Sequence, residues 1–166
     1  MMESARPASI GTQRRREAAS STSAGTSDGM LPLAGGTPQT VYIQVEEENA
    51  LKKVYFSLGG GTLYSGGISW QCNGYALMLT FVFVNTGFRI EELIPETPAF
   101  WFSDTYVVGD NLQQGCCAAS LPGTYHFNVS FTDPISGTTG SLIDPKIVIT
   151  PIVNGNSNGT ARNGRP

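Results

Sequence analysis

The chain has 166 residues and a formal charge of −3, and its 20 glycines, 10 prolines, 8 Phe, 6 Tyr and 2 Trp against 14% charged residues exclude a helical bundle in favour of short strands and tight turns. Low-complexity ends leave about 110–120 residues for folding, enough for one core and too few for two domains. From Val41 to Ile152 ten acidic side chains face four basic ones, a balance of −6, while the flanks carry six Arg and three acids; an acidic body of this kind repels polyanions, so nucleic acid is excluded as its partner.

Residues 1–38 are rich in Ser, Thr, Ala, Gly and Arg, and cannot bury enough apolar surface to offset the entropy of ordering, so they are expected to form a disordered tail in which Arg14, Arg15 and Arg16 are solvated. The folded domain is expected over residues 39–153. Val41, Ile43 and Val45 alternate with Tyr42, Gln44 and Glu46 in a first strand, which Glu46-Glu47-Glu48-Asn49 ends. A second strand places Val54, Phe56 and Leu58 on one face, and Gly59-Gly60-Gly61 follows as a loop that needs positive φ or close backbone approach. Ile68, Trp70 and Cys72 make a third strand, and Asn73-Gly74 signals a two-residue hairpin into the next run. That run, residues 75–84, is apolar on both faces and reads as a central strand.

Thr86-Gly87 turns the chain, and residues 88–94 are the one segment where a short helix competes with a strand. Residues 99–108 form a strand with a bulge at Ser103-Asp104, Gly109-Asp110-Asn111 a turn, and residues 112–121 a short or irregular segment. The domain closes on a hairpin in which Tyr125, Phe127, Val129 and Phe131 point inward, Ser136-Gly137 turns, and a β-branched strand returns. Residues 154–166 are expected to be a second disordered tail. About seven to eight short strands at roughly ten-residue spacing predict an all-β fold, a single antiparallel β-sandwich, with a small β-barrel as the alternative. The first and last strands are expected to pair or to lie at sheet edges, where charge discourages aggregation.

The chemical inventory is sparse. Cys72, Cys116 and Cys117 are an odd number with no CxxC spacing, which argues against a disulfide framework and a zinc site and for reduced thiols; a Cys72–Cys117 bridge is the one pairing open to an oxidising compartment. His126 is the single histidine and sits on the polar face of its strand, with Cys116 and Cys117 the nearest nucleophiles in sequence. The carboxylate groups Glu91, Glu92 and Glu96, Asp104 and Asp110, and Asp133 and Asp144 lack calcium-loop spacing and read as turn caps. Gly59-Gly60-Gly61-Thr62 lacks the Gly-Lys-Ser/Thr ending of a phosphate loop. No catalytic residue, metal ligand or cofactor is therefore expected, and the protein is read as a non-enzyme.

The chain has no stretch long and apolar enough to span a bilayer and its N-terminus lacks a secretory h-region, which predicts a cytoplasmic protein with no membrane span. Trp70, Tyr75 and Trp101 are the candidate ligand-binding residues, since aromatic faces stack on sugar rings and small apolar ligands in many β-sandwich modules. The expected role is binding or self-association, with a homo-oligomer as the partner state. The alternative is a module that takes a carbohydrate or another small hydrophobic ligand.

The segment Asp144-Pro145-Lys146-Ile147-Val148-Ile149, after an alternating strand and a Ser-Gly turn, resembles the C-terminal hairpin of small bacterial β-sandwich proteins of the DP-EP family and of the AidA/PixA inclusion-body protein family. The similarity covers about thirty residues. It implies a bacterial β-sandwich with no established enzymatic activity and no catalytic residues to carry over.

Overall fold

In the computed structural model, which describes residues 25–34, 38–72, 77–96, 100–118 and 122–151, every regular element is a β-strand. In chain order they are β1 (Thr26–Ser27), β2 (Leu31–Ala34), β3 (Gln39–Glu48), β4 (Leu51–Ser57), β5 (Leu63–Tyr64), β6 (Ile68–Cys72), β7 (Leu77–Val84), β8 (Arg89–Pro95), β9 (Phe100–Val108), β10 (Asn111–Ala118), β11 (Gly123–Thr132) and β12 (Thr139–Pro151). They form a seven-stranded sheet in the order β1-β5-β4-β3-β7-β10-β9 and a five-stranded sheet in the order β2-β6-β12-β11-β8, neither closed into a barrel. Both are mixed, because β1/β5, β3/β7, β2/β6 and β6/β12 run parallel. The expectation of seven or eight antiparallel strands is corrected in number and in direction.

Alternation decides which side chains meet between the sheets. Val41, Ile43 and Val45 from β3, Leu79, Phe81 and Phe83 from β7, and Tyr125, Phe127, Val129 and Phe131 from β11 all enter one buried cluster, as the sequence pattern predicts. Phe127 is its centre: from the five-stranded sheet it meets Phe102 at 5.5 Å, Phe56 at 6.2 Å and Phe81 at 6.4 Å, all three on the seven-stranded sheet. Tilted and edge-on rings at these separations add to the burial term.

One polar side chain crosses this apolar layer. Gln114 of β10 is 2% exposed and its amide mimics a missing strand: Oε1 accepts from Leu93 N at 2.7 Å, while Nε2 donates to Leu93 O at 3.1 Å and to Ser103 O at 2.8 Å. Leu93 lies in β8, the edge strand of the five-stranded sheet. Thr105 of β9 extends the arrangement by donating its hydroxyl to Glu91 O at 3.2 Å. Side chains of one sheet thus hydrogen-bond the backbone edge of the other, as buried peptide groups require.

The turns carry their own chemistry. Asn49 and Ala50 join β3 to β4 with φ of 53° and 63°, the left-handed pair of a two-residue hairpin. Behind it Glu47 meets Lys52 at 3.8 Å and Glu48 meets Lys53 at 2.7 Å, and hydrogen bonds from Lys53 and Tyr55 hold the Glu48 carboxyl below its usual range. The Glu46–Glu48 charges are therefore cross-strand partners in a central strand, and β3 and β12 are not edge strands as expected. Gly67, at the corner from β5 to β6, has φ +102° and would place a β-carbon 2.3 Å from Lys146 O, so only glycine fits. In the last hairpin Asp133 accepts from Ile135 N at 2.8 Å and from the Ser136 hydroxyl at 2.8 Å, which lowers its pKa.

Further expectations are corrected. Thr26–Ser27 and Leu31–Ala34 belong to the two sheets although they fall in the stretch read as a tail, and Leu31 and Leu33 are core residues. Residues 1–24 and 152–166 lie outside the described residues, as do 73–76 with the Asn73-Gly74 signal. The strands flanking that signal belong to different sheets, so it joins no hairpin. Residues 88–94 resolve as strand rather than helix, and the segment read as irregular after Asn111 is the regular strand β10. Leu58 is exposed rather than sharing a face with Val54 and Phe56. The bulge expected at Ser103-Asp104 is present, since the ladder passes from Gln114↔Thr105 to Cys116↔Phe102.

Gln114→Leu, which keeps side-chain volume but leaves Leu93 and Ser103 without their partner, should lose about 2–4 kcal/mol in chemical denaturation. A variant that unfolds with the parent would show that the amide bridge contributes nothing. Ala50→Gly should instead gain about 0.5–1 kcal/mol, because the left-handed conformation strains an L side chain. An unchanged or lower midpoint would contradict the strained turn.

Candidate functional site

Of the three candidate ligand-binding aromatics, the structure leaves one on the surface. Trp70 of β6 is 0% exposed and packs in the core, so its indole cannot stack on an incoming ligand; that expectation is corrected. Its position follows from parity, since Ile68 and Trp70 share the inward face of β6. Tyr75 lies outside the described residues. Trp101 of β9 is 64% exposed. Trp70 and Trp101 belong to different sheets, and no common groove forms from them.

The surroundings of Trp101 are what the sequence reading missed. Strand β9 is the terminal strand of the seven-stranded sheet, with β10 its one partner among the described strands. Tyr106, Val107 and Val108 on the same strand are also exposed, Val107 by 66%. The register carries the apolar surface inward across the sheet, because Cys117 pairs with both Trp101 and Met78, and Met78 is exposed. Asp104 is the single charged residue between Phe100 and Val108. The signal was present in the sequence as an aromatic and β-branched run, but which half of the run faces solvent depends on the bulge at Ser103-Asp104.

Among the described residues, those that could carry catalysis are not brought together. His126 sits opposite Lys146 in the β11/β12 ladder, in register with the outward positions of β11, whereas Cys116 is buried in the core on the other sheet. The side chains of Cys72, Cys117 and Asp144 lie outside the described residues. Glu91 of the β8 acidic group meets Arg89 at 3.4 Å across the strand surface, and Asp133 caps a turn. Among the described residues no three His, Cys, Asp or Glu side chains converge where a metal ion could be held. Among the described residues no helix is long and apolar enough to cross a membrane.

No protein-family model matches the chain, and no curated protein matches it. Among solved structures it is similar to an inclusion body protein, PixA, from Burkholderia cenocepacia J2315, with 13% identity, coverage of 69% of this chain and 97% of that one, and a TM-score of 0.40. That protein is of the inclusion-body type to which the closing hairpin was likened. No residue role is transferred from it.

The different environments of the two indoles have a direct optical consequence. Acrylamide should quench Trp101 and spare Trp70, so Trp101→Phe should leave a blue-shifted, quench-resistant emission. Strong quenching of the remaining indole would mean that Trp70 is not in the core.

Proposed function

We propose that the protein acts by association rather than catalysis, and that it self-associates through the exposed β9 end of the seven-stranded sheet. The observation that carries this reading is the concentration of Trp101, Tyr106, Val107 and Val108 on one terminal strand, with Met78 in register beside it. An edge strand presents unpaired backbone groups, and contiguous exposed apolar surface on a water-borne protein marks an interface. The partner is a second copy of the chain. Between Val41 and Ile152 the charge is −6, so two copies repel one another over most of their surface. The β9 end, with Asp104 as its only charge, is where they approach at least electrostatic cost, and a twofold contact lets the same patch serve on both sides.

On this reading the two sheets are the layers of one sandwich, and β9 is the side by which it joins its copy. Cytoplasmic residence belongs to the same proposal and rests on the cysteine usage described above.

Sedimentation velocity over a concentration series should give a dimer or larger species that dissociates on dilution. Trp101→Lys combined with Val107→Lys should shift it to monomer while leaving the thermal melt in place. A parent chain that is monomeric at every concentration, or an oligomer indifferent to both lysines, overturns the reading.

A further inference from the structure

The outward face of the seven-stranded sheet carries a second feature, away from β9. The loop Gly59-Gly60-Gly61 folds back over the outward side chains of β3 and β4, leaving a cleft of about 300 Å³ lined by Tyr42, Gln44, Ser57, Leu63, Val84 and the glycine backbone. The ladder sets this floor: Tyr42 pairs with Ser57, and Gln44 pairs with Val84. All three glycines have positive φ, at 92°, 154° and 76°, and a β-carbon at Gly59 would stand 2.7 Å from the Tyr42 ring. The loop can lie against that ring only because it has no side chain there.

Ser57 gives the cleft its chemical meaning. It is 5% exposed and lines the cleft. A serine hydroxyl at such a cleft can exchange a water contact for a hydrogen bond, donated or accepted, with a group that enters it. Gln44 stands beside it with its amide nitrogen committed to Glu46 Oε1, which leaves the amide oxygen open as an acceptor.

We infer that this cleft binds one neutral, hydroxyl-bearing ring, of which a single pyranose sugar is the representative class. Among the described residues no charged side chain lines it, so neither an anion nor a cation finds a counter-charge there. Its volume lies at the lower end of small-molecule sites, room for one ring rather than a chain of them. Tyr42 offers the negative face of an aromatic ring to aliphatic C–H bonds, Leu63 and Val84 offer apolar walls, and Ser57 and Gln44 take hydroxyl groups. The site uses neither Trp70 nor Trp101 and does not depend on association through β9.

Saturation-transfer NMR on the full chain tests this with D-glucose, D-galactose, D-mannose and N-acetylglucosamine as neutral probes, and glucuronate and glucosamine as charged ones. At least one neutral sugar should receive saturation, and more than either charged probe. Ser57→Ala and Gln44→Ala should each weaken it about tenfold, the loss of one hydrogen bond. The Trp101→Lys, Val107→Lys protein should bind as the parent does, which separates failure of this inference from failure of the association reading. Thermal melts establish that each variant is folded, and the two cleft variants lie on different strands. No transfer to any neutral sugar, transfer unchanged in both cleft variants, or preference for a charged probe overturns the inference.

Discussion

Phe127 can stand against Phe56, Phe81 and Phe102 only if the layer between the sheets is dry, and that dryness governs the rest of the molecule. A backbone group facing a water-free layer must find a partner within the protein. The edge of β8 is where this requirement bites, because β11 is its one partner among the described strands and it lies close to β9 and β10. Gln114 and Thr105 meet it from the opposite sheet, binding Leu93 and Glu91 through their main chain. Packing and polar satisfaction are thus one problem: the amide fixes how the two sheets align, and the phenylalanines fix how closely they approach.

The same layer determines where function can reside. It consumes Trp70, Cys116 and the inward half of every long strand, and it leaves chemistry to outward faces, corners and edges. The two edges beside the Gln114 bridge differ in kind. Glu91 and Leu93 on β8 are met by side chains, whereas β9 turns an apolar surface to solvent at Trp101 and Val107. The glycine loop is different again, since it brings backbone rather than side chains over a tyrosine and so makes a concave surface on a sheet that is otherwise open. A scaffold with a dry interior and few charges can serve as a support for such surfaces without contributing catalytic groups of its own.

What could be read from the sequence was whatever strand alternation encodes locally. The inward set of β11 and that of β3 follow directly from period two, as does the central place of the doubly apolar β7. Sheet membership is not local, and there the reading failed: Asn73-Gly74 carries a hairpin signal, yet the strands on either side of it go to opposite sheets. Strand β10 was obscured because its inward position at Gln114 is polar, and only a partner on the other sheet makes that residue acceptable there. Leu31 and Leu33 were obscured by the small polar residues around them, although they alternate as strand residues do. The two tryptophans show the limit for the candidate site. Trp70 alternates with Ser69 and Gln71 and so follows parity, whereas Trp101 stands between Phe100 and Phe102, neighbours that do not tell which way its indole faces.

The parallel pairing of β6 with β12 sets an order on assembly. Ile68 lies beside Ile147, and Leu31 in turn lies beside Ile68. The five-stranded sheet therefore has its middle supplied by β12, the last of the described strands, and β2 and β6 cannot take their places beside it until β7 through β11 have been made. A newly synthesised chain must carry Leu31, Leu33 and Trp70 without these sheet neighbours until β12 has been made. Such long-range pairings close large loops before they yield contacts, which slows folding and prolongs the interval in which apolar strands are available to neighbouring chains. Crowding of nascent chains, rather than any weakness of the finished fold, is where this topology is most exposed to misassembly.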